Sequence, residues 1–168
     1  EGSRPPAWAD QIVAIVSNAE AAISSLNTVS AQESTQVLQV LAEPLAAEGY
    51  LVGRGTRPGQ GLKLPVIFGP QGEPTVEYEV DAFNPPLGIV LEVEAGRGAA
   101  NNLDYRDIVR ASLIEDARWL VMLQPLRYRS NPDANPVHAY ETTRTRIGHI
   151  FKSDRLGLSL NGILLVGY

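Results

Sequence analysis

The chain has no cysteine, so neither a disulfide framework nor a thiolate metal site is open to it, and any metal would fall to carboxylates or to its two histidines. That absence suits a reducing compartment, and a cytoplasmic location is the expectation. Lysine is nearly missing as well: of 14 basic residues only Lys63 and Lys152 are lysines, the rest being arginine. Aromatic residues make up only 7% of the chain, which lends little support to a glycosidase with an aromatic-lined sugar cleft. No stretch of about 18 apolar residues is present to cross a membrane, and the N-terminus lacks the basic region and apolar core of a signal peptide. A soluble protein is expected, with room for flanking segments, since the chain opens on Glu1 rather than methionine. Neither a G-x-S-x-G elbow, a P-loop, nor a G-x-G-x-x-G between strand and helix occurs, so serine-hydrolase and nucleotide-dependent chemistries have nothing to stand on.

What is present fits one domain of 168 residues, with 1–29 expected as an N-terminal helical extension. The net charge of -5 hides a polarity: residues 1–96 hold four basic and twelve acidic side chains, and residues 97–168 hold ten and seven. Arginine suits bidentate phosphate contact, though a GC-rich genome also favours it.

Asp10 is placed to cap a helix with Ile12, Val16, Ala19, Ile23 and Leu26 at helical spacing. Ser30 and Glu33 form a capping-box pattern for a second helix that carries Val37, Leu41 and Leu45, ends at Gly49 and is kinked or split by Pro44. From Tyr50 the period changes to strands around a glycine-rich basic loop, Arg54 to Gly61, expected to be mobile. Val76, Tyr78 and Val80 then alternate with Glu77, Glu79 and Asp81. Beyond a Pro85-Pro86 turn, Leu87, Ile89, Leu91 and Val93 alternate with Glu92 and Glu94, and the two segments make an adjacent pair. Asn102 is expected to cap a helix with Tyr105, Ile108, Val109 and Leu113 buried. Trp119–Leu123 reads as an interior strand, a helix carrying Tyr140, Ile147 and Phe151 follows, and Gly162–Val166 reads as a last buried strand. The order predicts an α/β fold, a mixed central sheet flanked by helices on both faces.

The chemistry concentrates between Val76 and Asp107. Asp81, Glu92 and Glu94 reach one edge of the sheet, where clustered carboxylates would repel one another without a cation and where hard cations such as Mg2+ accept them. The same acids, with Glu77 and Glu79, are equally the solvated face of an antiparallel ribbon. Arg97, Arg106 and Arg110 are placed for phosphate or for surface pairs with Asp104, Asp107 and Glu115. His138 and Glu141 have metal-ligand spacing but read as a surface pair at a helix start. Trp8 and Trp119 could stack bases, and Trp119 fits the core better.

The run Asp81, ten residues, Glu92-Val93-Glu94, Gly96-Arg97 and a helix with Tyr105-Arg106-Asp107 resembles the PD-(D/E)xK nuclease superfamily, in its type II restriction endonuclease-like branch, over about residues 76–124. The resemblance implies a restriction endonuclease-like αβββαβ core and a Mg2+-dependent DNA endonuclease, with Mn2+ as substitute metal. It implies Asp81 and Glu92 as metal ligands, Glu94 as the third catalytic position, and a homodimer. Two departures stand out: the third position is Glu94 where lysine is usual, and Val80 rather than proline precedes Asp81. Such enzymes often add an acid from the first core helix, for which Glu33 and Glu43 are the candidates, and Lys63 is the candidate stand-in for the lysine. Arg54, Arg57, Arg97, Arg106 and Arg110 are the phosphate candidates, with the Arg127 to His138 segment also facing DNA. The alternative is a catalytically inactive copy of that fold, binding nucleic acid or protein within a larger assembly.

Overall fold

Two runs with few polar residues, Ile89–Val93 and Trp119–Gln124, become the middle of a sheet buried on both faces. The computed structural model describes residues 4–26, 33–95, 102–129, 133–153 and 155–168. In chain order these form α1 (Ala7–Asn18), α2 (Glu20–Ile23), α3 (Ser34–Ala47), β1 (Leu51–Val52), β2 (Leu62–Phe68), β3 (Pro74–Val80), β4 (Ala82–Asn84), β5 (Ile89–Val93), α4 (Leu103–Leu113), β6 (Trp119–Gln124), α5 (Ala139–Ser153) and β7 (Gly162–Gly167). The main sheet has the order β1-β4-β5-β6-β7. Its first three strands are antiparallel, and β5, β6 and β7 run parallel through the crossover helices α4 and α5. The fold is therefore α/β with a mixed five-stranded sheet. β3, expected to lie beside β5, pairs with β2 instead in a separate antiparallel hairpin, because the chain bends at Asp81 to pass from β3 into the short β4 that takes the place next to β5.

Alternation along the strands sends side chains to two cores. Ile89, Leu91, Val93, Val121 and Leu123 meet Trp8, Ile12 and Val16 of α1 and Val37, Leu38, Leu41 and Leu45 of α3. Val90, Leu120 and Met122 meet Ile108 and Ala111 of α4, Ile150 of α5, and the hairpin. The N-terminal segment, expected as an extension, thus supplies one side of the core, and Trp8 packs edge-on against Trp119 with ring centroids 5.4 Å apart.

Local rules decide several boundaries differently from the periodicity. α1 starts at Ala7 behind Pro6, whose fixed φ suits a helix entry, so Asp10 lies in the first turn and caps nothing. The helical pattern breaks at Ala19, and Leu26, expected on the buried face, is exposed. In α3 the N-cap is Glu33, whose backbone N–H donates to the Gln36 side chain at 3.2 Å. Ser30 lies outside the described residues, and the helix runs on through Pro44 without splitting. Gly49 ends it at φ 85°, with the Tyr50 N–H donating to the Leu45 carbonyl at 3.1 Å, the six-to-one closure that favours glycine.

The largest departure is the rotation of α4. The expected stripe leaves Tyr105, Val109 and Leu113 exposed, and the buried residues are Asp104, Asp107, Ile108 and Ala111. Hydrogen bonding accounts for part of this. Arg146 of α5 donates to the two Asp104 carboxylate oxygens at 2.9 and 3.0 Å, Thr143 donates at 3.1 Å, and the Tyr105 ring lies 5.5 Å under the Arg146 guanidinium. A buried charge so compensated fixes which face of a helix turns inward. Asn102 adopts a left-handed φ of 57° and makes no side-chain cap bond. In α5 the buried residues are Ala139, Thr143 and Ile150, while Phe151 is exposed. Asp104→Asn, which keeps the shape and loses the charge, should cost roughly 1.5–3 kcal/mol by weakening these bonds, read as a lower denaturant midpoint at unchanged slope. Among the described residues no helix is long and apolar enough to cross a membrane.

Candidate functional site

The bend between β3 and β4 turns Asp81 inward, where it is 6% exposed, and the Val93 N–H donates to its carboxylate at 2.7 Å. That bond ties the bend to β5, the strand carrying Glu92, which is 9% exposed. Glu94 follows just past the strand, its N–H donating to the Leu123 carbonyl at 2.9 Å, so the chain continues alongside β6. Strand alternation puts Glu92 and Glu94 on the α4 side of the sheet with Val90. These three acids help line one cleft of about 1090 Å³, closed by the start of α3, the glycine-rich loop, the hairpin and α4.

The rotation of α4 brings in a fourth carboxylate, which the sequence offered only as an alternative surface partner for the arginines. Asp107 is 2% exposed. One oxygen accepts from Arg106 at 2.9 and 3.0 Å, and the other, Oδ2, is buried without a partner among the described residues. Arg106 also lies 3.8 Å from Glu94. Asp107 could have been found from its spacing: Asp104, Asp107, Ile108 and Ala111 make a helical stripe of their own.

Crowding shows in the acid–base properties. Burial first, then Asp107, pushes the Asp81 carboxyl up to about 7 against the Val93 bond and the Arg110 charge that pull it down. Burial, followed by Asp81 and Asp107, holds Glu92 well above the usual carboxylate range. Burial and the neighbouring Asp107 push Glu94 up to about 9, with Arg106 opposing. Several desolvated acids with two guanidiniums near them are short of positive charge, which is the physical state that favours uptake of a cation or of protons.

Fit to a metal follows from the same facts. Among the described residues no three carboxylates or histidines are gathered closely enough to hold a metal ion as they stand. The donor set, four hard oxygen-bearing side chains with one buried oxygen unpartnered, is nonetheless the kind that Mg2+ or Mn2+ accepts.

The other site candidates separate. Arg106 and Arg110 line the cleft, and Arg110 is held in place by donating to the Glu79 carbonyl at 2.6 Å and by lying 5.2 Å over the Tyr78 ring. Arg57 lines it too, paired at 3.0 Å with Glu33, so Glu33 reaches the rim while serving as a helix cap. Arg54 is exposed and is not among the cleft residues, nor is Glu43, which is exposed on α3. Arg97 and the Gly96–Gly98 break lie outside the described residues. Lys63 lines the cleft opposite Glu79 across the hairpin, and Tyr128 joins the wall from the segment leading to His138. Glu77 is exposed, while Glu79 accepts from the Gly59 N–H at 2.7 and 3.0 Å. That bond and the Thr56 N–H donating to the Thr35 hydroxyl at 3.2 Å pin the glycine-rich loop, expected to be mobile, at two points, and just before it the Gly53 N–H donates to the Asp81 backbone carbonyl at 2.8 Å. His138 is exposed, and Glu141 pairs with Arg144 at 3.1 Å. Against known proteins, no family model, curated protein or solved structure matches the chain.

Proposed function

We propose that the protein is a divalent-cation-dependent nuclease acting on DNA, built on a restriction endonuclease-like core. The observation that carries this reading is that Asp81, Glu92 and Glu94 line one cleft, with Asp107 buried nearby, in surroundings short of positive charge. Element order supports it: α3, the antiparallel strands β1, β4 and β5, the crossover helix α4 and the parallel strand β6 follow the αβββαβ order that the sequence resemblance implies, with the β2–β3 hairpin inserted between β1 and β4. Asp81 and Glu92 would hold Mg2+ or Mn2+, with Glu94 beside them. Bound there, the cation would neutralise charge on the scissile phosphate and acidify a water.

The chain's own residues do the rest. Arg106 and Arg110 are positioned to bind phosphate oxygens beside the acids, and Arg57 and Lys63 extend the basic lining along the cleft. Asp107 holds Arg106 in place through its bound oxygen. Arg110, tied to the hairpin, is pre-ordered and loses little side-chain entropy on binding. Glu94 stands where a lysine is usual; without a cation, burial and Asp107 push its carboxyl up to about 9, and a cation bound beside it would favour the carboxylate instead.

Calorimetric titration with Mn2+ tests the site independently of turnover. Wild type should bind the ion, and Asp81→Asn and Glu92→Gln should each weaken binding at least tenfold. An ion that binds wild type and both variants alike would place the metal elsewhere. DNA bound without any cation uptake would favour the alternative of an inactive binding module.

A further inference from the structure

Gln124 ends β6 and is fully buried, and neither its Nε2 nor its Oε1 has a hydrogen-bond partner among the described residues. Leaving both ends of an amide unmet in the interior is costly, and the large majority of buried polar side-chain atoms in folded proteins have a partner. An apolar residue would serve better in a purely structural strand end.

Its position gives the orphaned amide a use. Leu120 and Met122 of the same strand face the α4 side, so Gln124 faces that side as well. The parallel register pairs Glu92 with Met122 and Val93 with Leu123, and the Glu94 N–H bond to Leu123 carries it one step further, setting Gln124 beside Glu94 on the same face. Neighbouring strands lie about 4.8 Å apart. Tyr168 fixes both backbones at once: its hydroxyl donates to the Glu94 carbonyl at 2.6 Å and its N–H to the Gln124 carbonyl at 3.0 Å.

We propose that Gln124 is a positioning residue of the cleft, its Nε2–H donating to the Glu94 side chain and its Oε1 accepting from a water held against that side chain when cation and nucleic acid are bound. A carboxamide suits the task because it is donor and acceptor at once and stays neutral. It thereby adds no further charge to a crowded group of acids. The proposal rests on the nuclease reading and names how the water beside the unusual Glu94 is oriented.

The test pairs Gln124→Met, close in length and flexibility, with the side-chain amide resonance of Gln124 in wild type, assigned by its disappearance in the variant. Mg2+ should shift that resonance together with the backbone amides of Glu92 and Glu94. Gln124→Met should fold with an unchanged or higher Tm and keep its KM for plasmid DNA within about twofold, while its kcat falls about 10–100-fold. If Mg2+ moves the Glu92 and Glu94 amides but not Gln124, or if kcat survives in the variant, Gln124 has no positioning role and the nuclease reading stands. If Mg2+ moves none of them, the nuclease reading fails and takes this proposal with it.

Discussion

Asp81→Asn and Glu92→Gln should each lower divalent-cation-dependent DNA cleavage by about 10³-fold or more, since a metal-stabilised charge is worth several kcal/mol in the transition state and each ~1.4 kcal/mol is a factor of ten. The choice of amides matters. Asp81 accepts the Val93 N–H, and asparagine keeps an acceptor for it, so a loss of activity in Asp81→Asn reports on charge rather than on an undone bend. Initial rates on supercoiled plasmid, with thermal unfolding of each variant as the folding control, make the measurement. Arg106→Ala should act differently, raising KM more than it lowers kcat, because it removes a phosphate contact and leaves the acids in place.

The second large effect is on stability, and it runs against the first. Ordinary carboxyls titrate near 3.8 and 4.5, whereas Asp81 is raised to about 7 and Glu94 to about 9, in both cases by burial above all. A folded-state pKa above the unfolded one means that the fold favours the protonated form. The resulting stabilisation is complete below the unfolded values and is lost as pH climbs through the folded ones. In chelator the protein should therefore lose stability between about pH 5 and pH 9, by an amount on the order of 5 kcal/mol summed over the group. Glu94→Gln, neutral at every pH, should flatten that slope and raise the Tm at pH 9 by several degrees. Saturating Mn2+ at pH 8 should raise the wild-type Tm as well, since a ligand of the folded state alone stabilises it. A wild-type stability in chelator that rises from pH 5 to pH 9 would contradict this picture of the acids.

Legibility from sequence follows the reach of the forces. The centre of the sheet was readable because a strand buried on both faces must be apolar nearly throughout, as Ile89–Val93 and Trp119–Leu123 are; although the Val76–Val80 segment expected beside β5 pairs with β2 instead, the Pro85-Pro86 turn marked a hairpin into β5 whose other arm is β4, Ala82–Asn84. The proximity of Asp81 to Glu92 came with that pairing. α4 was not readable, because it carries two interleaved stripes and periodicity favours the more apolar one, Tyr105, Val109 and Leu113. The other stripe turns inward because Asp104 finds Arg146 and Thr143, forty residues on in the chain. Asp107 does pair with Arg106, as one reading of the sequence had it, but for the same reason the pair is half buried beside the acids rather than on the surface. Gln124, one residue past the apolar run Trp119–Leu123, carried no signal of its own, and only the register with Glu94 gives it a neighbour at the cleft. Arg54 and Arg57, three residues apart on one loop, were indistinguishable until backbone bonds to Thr35 and Glu79 fixed which of them reaches the rim.

The account rests on hydrolysis at Asp81 and Glu92, and the most direct measurement of it is cleavage of supercoiled plasmid by the wild-type chain in Mg2+ and in Mn2+, beside EDTA and beside Asp81→Asn. The expected result is conversion to nicked and linear forms in metal, abolished by EDTA and by the substitution. Intact plasmid under every metal condition, or cleavage that persists in EDTA or in Asp81→Asn, would contradict it.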